Sequence, residues 1–268
     1  MPQTLVDEAN GLIAKRRNKA VDLESELWGQ PVEKYTGMVS KDSQARLALI
    51  ASYPEELANK YELSYAAGLW SGSLVADLLW YVDGTPTSRP SDYCAPSWSW
   101  VSVTGAVTCV PSSELIDTSY VTIKEIHTNL LNQDISTGAV VGGYVRLHGC
   151  LIEIPRPTFF NIRGHHVAGY FYPDDPNDIT ERRYFCLPVQ RQLTPRGPWL
   201  CGLLLHKMEY HWGVEYRRVG LFRCIQGDSL HVLGQKVRGK ADSTFYSYET
   251  YLETGIDGNP KPAEITII

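Results

Sequence analysis

The spacing of hydrophobic positions along the chain changes near residue 95. Over 4–28, Leu5, Leu12, Ile13, Ala20, Leu23 and Leu27 recur close to every 3.6 residues, with Lys15, Arg16, Arg17, Lys19, Asp22 and Glu24 between them. This is the signature of an amphipathic helix with one buried face. The basic block Lys15-Arg-Arg-Asn-Lys19 then reads as a solvated face. A second helix is predicted over 40–58, with Ser40 or Asp42 as its cap, and a third over 65–80, with Leu69, Leu74, Leu78 and Leu79 on its apolar side. The run Thr85-Pro-Thr-Ser-Arg-Pro-Ser-Asp92 breaks the helical pattern and predicts a loop.

Past that loop the period becomes two. Strands are predicted over 98–110, 120–131, 143–154, 167–172, 184–192, 199–207, 216–225 and 229–236, separated by Gly, Pro, Asn and Asp clusters. Repeated strands with no helical segment between them favour antiparallel pairing over a parallel sheet with crossover helices. The expected fold is therefore α+β, with a helical N-terminal cap over 1–95 and a closed, mainly antiparallel β-barrel of about eight strands over 96–268.

Composition narrows the partners. The chain has 268 residues, 43% of them hydrophobic, which suits a sizeable buried core. A formal charge of −5, with the basic residues dispersed, offers no patch for displacing counterions from nucleic acid. No apolar run is long enough to cross a membrane and the N-terminal stretch is polar, so a cytoplasmic location is expected, with neither nucleic acid nor membrane as partner. Cys94, Cys109, Cys150, Cys186, Cys201 and Cys224 form no C-x-x-C pair, and most lie in apolar runs, as buried free thiols do.

Candidate chemistry is mostly excluded by spacing. Neither a dinucleotide fingerprint nor a nucleophile elbow is present. Gly234-Gln-Lys-Val-Arg-Gly-Lys-Ala241 approaches a phosphate loop but places Ala241 where a magnesium-binding hydroxyl belongs. His206, Glu209 and His211 miss the i, i+4 spacing that puts two imidazoles on one helix face, and on a strand the two histidines have opposite parity. The adjacent His165 and His166 likewise have opposite parity, so no metal site and no cofactor are expected.

Six stretches carry a resemblance. Tyr65-Ala-Ala-Gly-Leu-Trp70, Leu78-Leu-Trp-Tyr-Val82 and Arg89-Pro-Ser-Asp-Tyr-Cys-Ala-Pro-Ser-Trp-Ser-Trp-Val-Ser-Val103 are similar to the segment that follows the heterokaryon-incompatibility (HET) module in fungal proteins of that family. Trp28-Gly-Gln-Pro-Val-Glu-Lys-Tyr-Thr36, Ala45-Arg-Leu-Ala-Leu-Ile-Ala51 and Tyr216-Arg-Arg-Val-Gly-Leu-Phe222 extend the similarity. The resemblance implies a HET-like protein in which the matched region follows the named module, and the module's own motif is not found in this sequence.

Two functions follow. One is a small-molecule-binding barrel that takes a hydrophobic or conjugated ligand, as a cofactor-independent cyclase, isomerase or lyase of fungal secondary metabolism. Its acid–base groups would be Tyr144, Arg146 and His148, which share one strand face and bring a phenol, a permanent cation and a titratable imidazole together. Asp92, Tyr93, Trp98 and Trp100 would bind substrate where the helical and strand regions meet, although structural anchoring is the favoured reading of the two tryptophans. The alternative is the non-catalytic half of a HET-like protein, sensing or regulating a partner. If the polar face of residues 144–154 turns outward, Arg146 and His148 are simply solvated.

Overall fold

The structure is a computed structural model that describes residues 20–38, 52–61, 64–82, 89–110, 115–155, 169–181, 183–194, 197–225 and 262–268. Two units form, Met1–Ser113 with Ile126–Gly143, and Glu114–Glu125 with Tyr144–Ile268.

In the first unit the predicted helix over 65–80 is replaced by a hairpin and a single helical turn. β1 (Tyr65–Ala66) and β2 (Leu69–Trp70) pair antiparallel around Ala67 and Gly68, whose φ angles of 44° and 98° are the left-handed values a two-residue hairpin turn requires. Leucine periodicity fits a continuous helix, but two consecutive positive φ angles end any right-handed helix there. The chain is held in this turn by side chains distant in sequence. The Gly68 carbonyl accepts the indole N–H of Trp28 at 2.6 Å and of Trp100 at 2.7 Å, and the Ser99 hydroxyl donates to the Ala67 carbonyl. A β-carbon on Gly68 would lie 2.8 Å from Trp100 Nε1, so side-chain volume as well as φ favours glycine.

Around this node pack Trp28, Trp70, Trp80, Trp98 and Trp100, all buried. Trp28 belongs to α1 (Ala20–Met38), which runs through Pro31 and ten residues past the predicted end at 28. Further along α1, Thr36 and Glu33 accept the backbone N–H groups of Val107 and Cys109 at 3.0 and 2.8 Å. Those residues lie on β4 (Val107–Cys109), which pairs antiparallel with β3 (Trp80–Val82), so helix side chains satisfy donors that the two-stranded ladder leaves over. α2 (Ser52–Tyr61) overlaps the end of the second predicted helix, and α3 (Leu74–Asp77) is one turn whose Asp77 accepts from Trp70 N and Ser73 Oγ. Of the predicted strand over 98–110, only β4 forms, because Trp100–Ser102 is a 3₁₀ turn fastened by Ser99 Oγ.

The second unit is built on a large sheet. Its strands are β5 (Leu115–Ser119), β6 (Thr122–Leu130), β7 (Val140–Gly149), β8 (Ile152–Pro155), β9 (Gly169–Pro173), β10 (Arg183–Thr194), β11 (Gly197–Tyr210), β12 (Gly213–Ile225) and β13 (Ala263–Ile267). The distal parts of β6 and β7 belong to the first unit. The order across the sheet is β5-β10-β11-β12-β13-β7-β6, antiparallel between β5 and β10, β10 and β11, β11 and β12, and β13 and β7, and parallel between β12 and β13. The predicted closed barrel is corrected to an open half-barrel whose end strands β5 and β6 are not neighbours in the sheet. β8 pairs on β10 beside β5, and β9 pairs on β12 beside β13, so these two strands thicken the ladder without adding to its circumference.

The sheet curls nonetheless. A β-carbon on Gly149 of β7 would lie 3.0 Å from Leu187 of β10 and 3.1 Å from Val121, although β13, β12 and β11 separate those strands in the ladder. Val145, Leu147, Ile265, Ile267, Leu187, Leu203, Leu205 and Leu221 fill the concave side. Tyr184, Cys186, Leu200, Leu204, Val219 and Phe222 form a second cluster on the convex side of the long hairpin, capped by Ile152 and Ile179. Central strands buried on both faces explain the near-continuous apolar run Leu200–Leu205. The predicted strand over 229–236, the phosphate-loop-like stretch at 234–241, His165, His166 and the basic block at 15–19 lie outside the described residues.

The Gly68 node predicts a graded loss of stability. Trp100→Phe removes one buried donor and should lower the unfolding free energy by about 1–2 kcal/mol in urea titrations. Gly68→Ala adds backbone strain to a steric clash and should cost about 2–4 kcal/mol. Equal stability of Gly68→Ala and the parent would show that the turn is not fixed in this way.

Candidate functional site

On the concave side of the second unit, polar and aromatic residues line up across four strands. Gln190 on β10 is paired with Cys201 on β11, Cys201 with Arg223 on β12, and Arg223 with Tyr170 on β9. The row beside it holds Gln192 opposite Trp199, and the row on the other side holds Leu187, Leu203, Leu221 and Tyr172. Directly opposed residues share a face, so this is one strip that grades from apolar to polar.

A β-bulge places the glutamines there. The ladder between β10 and β11 shifts register between Pro188 and Gln190, leaving Val189 as the extra residue. Without it, Gln190 and Gln192 would fall on the face opposite Leu187. The Val189 carbonyl accepts from Tyr120 N at 2.9 Å. Pro188, which has no N–H to give, sits where the outer edge of β10 changes partner from β8 to β5.

Within the strip, Tyr170 stacks on Trp199 with ring centroids 5.9 Å apart and planes 22° apart, and the Arg223 guanidinium lies 5.3 Å from the Trp199 ring centre. Tyr170 is 48% exposed, whereas Gln190 and Gln192 are buried. The Cys201 thiol donates to Gln192 Oε1 at 3.3 Å, but Gln190 Oε1 is buried with no hydrogen-bond partner among the described residues. A buried acceptor without a donor is costly, and such atoms mark places where a ligand or water completes the bonding. The aromatic end is anchored from below: Asp174, just past β9, makes a forked pair with Arg218 of β12 at 3.1 and 3.2 Å, both side chains fully buried. That pair fixes the end of β9 on β12 and with it the stacked Tyr170.

The expected acid–base trio lies on the other face. Val145 and Leu147 point into the concave core, so Tyr144, Arg146 and His148 point out. They do share a face as the spacing required. Tyr144 Oη donates to Glu125 Oε1 at 2.7 Å, Arg146 reaches Glu125 Oε2 at 2.7 Å and Glu264 Oε1 at 3.3 Å, and the guanidinium lies 5.1 Å from the Tyr144 ring centre. The Glu125 carboxylate, as hydrogen-bond acceptor and nearby negative charge, raises the Tyr144 phenol above its ordinary range despite Arg146. His148 is exposed and stands opposite Glu264.

Of the other expected residues, Trp98 and Trp100 are buried in the first unit. The Trp100 indole N–H is taken by Gly68, and the Trp98 carbonyl accepts from Trp80 Nε1 at 3.0 Å. Asp92 and Tyr93 are exposed, and partial burial, followed by the neighbouring Cys94, raises the Tyr93 phenol to about 12. His206 packs beside Tyr184, Glu209 is held by Lys207 at 2.6 Å, and His211 meets the edge of Trp212 at the exposed β11–β12 turn. Cys94, Cys186 and Cys201 are buried free thiols, and Cys109 and Cys150 are free and half-buried.

The chain matches no protein-family model, no curated protein and no solved structure.

Two measurements check this geometry. Glu125→Gln removes the carboxylate that raises Tyr144, so the phenol should titrate at lower pH in an ultraviolet difference titration, with the pKa moving toward its ordinary value; an upward shift would contradict the contact. Asp174→Ala takes the paired carboxylate away from a buried guanidinium and should destabilise the protein by about 3–5 kcal/mol, most of it recovered when Arg218→Met is added. Additive losses in the double variant would show that the two side chains do not act as a pair.

Proposed function

We propose that this chain is a non-catalytic recognition region of a HET-like protein and that it takes a small planar ligand on the concave strip of its half-barrel. The observation that carries this reading is the row Gln190–Cys201–Arg223–Tyr170, in which a buried amide oxygen without a partner lies beside stacked aromatic rings and a guanidinium. Aromatic faces supply area for a flat molecule, and a few fixed polar groups orient it.

Binding rather than turnover fits the groups present, the thiol among them, Cys201, being buried and already donating to Gln192. Glutamine amides do not titrate, arginine stays protonated, and proton transfer near neutral pH needs a side chain whose pKa lies close by. The imidazole expected in that role, His148, is on the opposite face of the sheet. The HET resemblance fits a recognition role equally well, since its most distinctive residues, Trp28, Gly68, Trp98 and Trp100, are engaged in packing and turn formation.

Fluorescence and calorimetric titration with flat bicyclic aromatics, 2-naphthoate among them, should show saturable binding. Trp199→Ala should weaken it at least tenfold, while His148→Gln leaves it within about twofold. Binding lost in His148→Gln but kept in Trp199→Ala would move the site to the outer face and revive the acid–base trio.

A further inference from the structure

The outward-facing Tyr144, Arg146 and His148 stand on β7 beside β13, and the continuity of the sheet depends on β13. Among the described residues, taking β13 away leaves two separate ladders, β5-β10-β11-β12 and β7-β6. We infer that the slot between β7 and β12 is a strand-acceptor site, filled by the chain's own residues 263–267 and able to take the same strand from a second copy, so that two copies exchange β13.

The slot reads a pattern. Ile265 stands opposite Leu147 and Ile267 opposite Val145, and all four are fully buried. The alternate residues face outward, with Thr266 opposite Arg146, Glu264 opposite His148, and Glu264 Oε1 3.3 Å from Arg146 Nε. A slip of one residue would turn both isoleucines out and drive Glu264 into the apolar core. The site therefore selects an extended segment in which an acidic residue precedes alternating aliphatic side chains, and Pro262, which has no N–H, marks where the ladder begins.

Attachment to the two walls is unequal. β13 pairs with β7 at five positions but with β12 at one, Tyr216 with Ile267, next to the Ile268 N–H donated to the Tyr216 carbonyl at 2.9 Å. β12 and β13 run parallel, so no tight turn can join them, and residues 226–262 lie between them in sequence. A stretch of that length can span up to about 120 Å, enough to reach a neighbouring copy. The strand makes the same contacts in either copy, so concentration sets the balance. The tethered strand prevails in dilute protein, and exchange grows as the protein approaches the roughly millimolar effective concentration of a tether.

The test uses opposed, exposed positions of the full chain. His148 and Glu264 face each other across β7 and β13, at a backbone separation that a disulfide bridges. His148→Cys and Glu264→Cys combined in one chain should close an internal bridge under oxidised glutathione, identified by peptide mass mapping. With the two substitutions on separate copies, the mixture should form a 148–264 bridge between chains, its yield rising by about fivefold or more between about 10 µM and about 1 mM protein. Thr266→Cys in place of Glu264→Cys should bridge to position 148 about fivefold less, because the register sets residue 266 against Arg146. Equal yields from the two would indicate casual thiol contact rather than a docked strand and would overturn the inference. It also falls if the double variant closes its bridge while the mixture gives none at any concentration. A double variant that closes no bridge would show that the slot does not hold β13 in this register, with the same consequence.

Discussion

Between Pro188 and Gln190 the long β10–β11 ladder slips by one residue, and the character of the concave face depends on that slip. A period-two strand sends every second side chain to one side, so an uninterrupted β10 would have carried Leu187 inward and both glutamines outward. The extra Val189 reverses the parity after Pro188 and brings two amides to a face otherwise filled by leucines. The cost is an irregular ladder, offset by the Tyr120 N–H that reaches the Val189 carbonyl. The same region uses a proline where β10 exchanges one edge partner for another, so the missing donor falls where neither neighbour needs it.

The first unit solves a different problem. A two-residue turn with both φ angles positive has few ways to hold itself, and here one carbonyl accepts two indole N–H groups from residues 40 before and 32 after it. The segments around Trp28, Tyr65–Trp70 and Ser97–Trp100 meet at this point. Each stretch is constrained because the other two pack on it.

Curvature in the second unit comes from strand sharing and from glycine. Gly149 lets β7 approach Leu187 of β10, and Gly202, where a β-carbon would lie 2.6 Å from the Phe222 ring, lets that ring come close to β11. β13, contributed by the C-terminal residues, joins β7 to β12 and carries Ile265 and Ile267 into the concave core. The result is an open trough with the Asp174–Arg218 pair fastening the strand that presents Tyr170.

Much of the β region was legible in the sequence because alternation is a local property. The predicted strands at 120–131, 184–192, 199–207 and 216–225 all lie at or close to β6, β10, β11 and β12, and the shared face of Tyr144, Arg146 and His148 follows from strand geometry alone. Which way that face points was not local: it depended on the apolar partners of Val145 and Leu147, which come from β13, a strand too short and too near the C-terminus to stand out. The hairpin at 65–70 was hidden by leucine spacing that also fits a helix, and only the distant indoles of Trp28 and Trp100 select the turn. The candidate strip was the least visible. Tyr170 and Trp199 could be noted as aromatic strand residues, and Gln190 and Gln192 as amides two apart in an apolar strand, but a bulge has no sequence signature here and lateral pairing across four strands is a tertiary fact. Sequence determined the alternation; the register, fixed by long-range hydrogen bonds, decided which side chains meet.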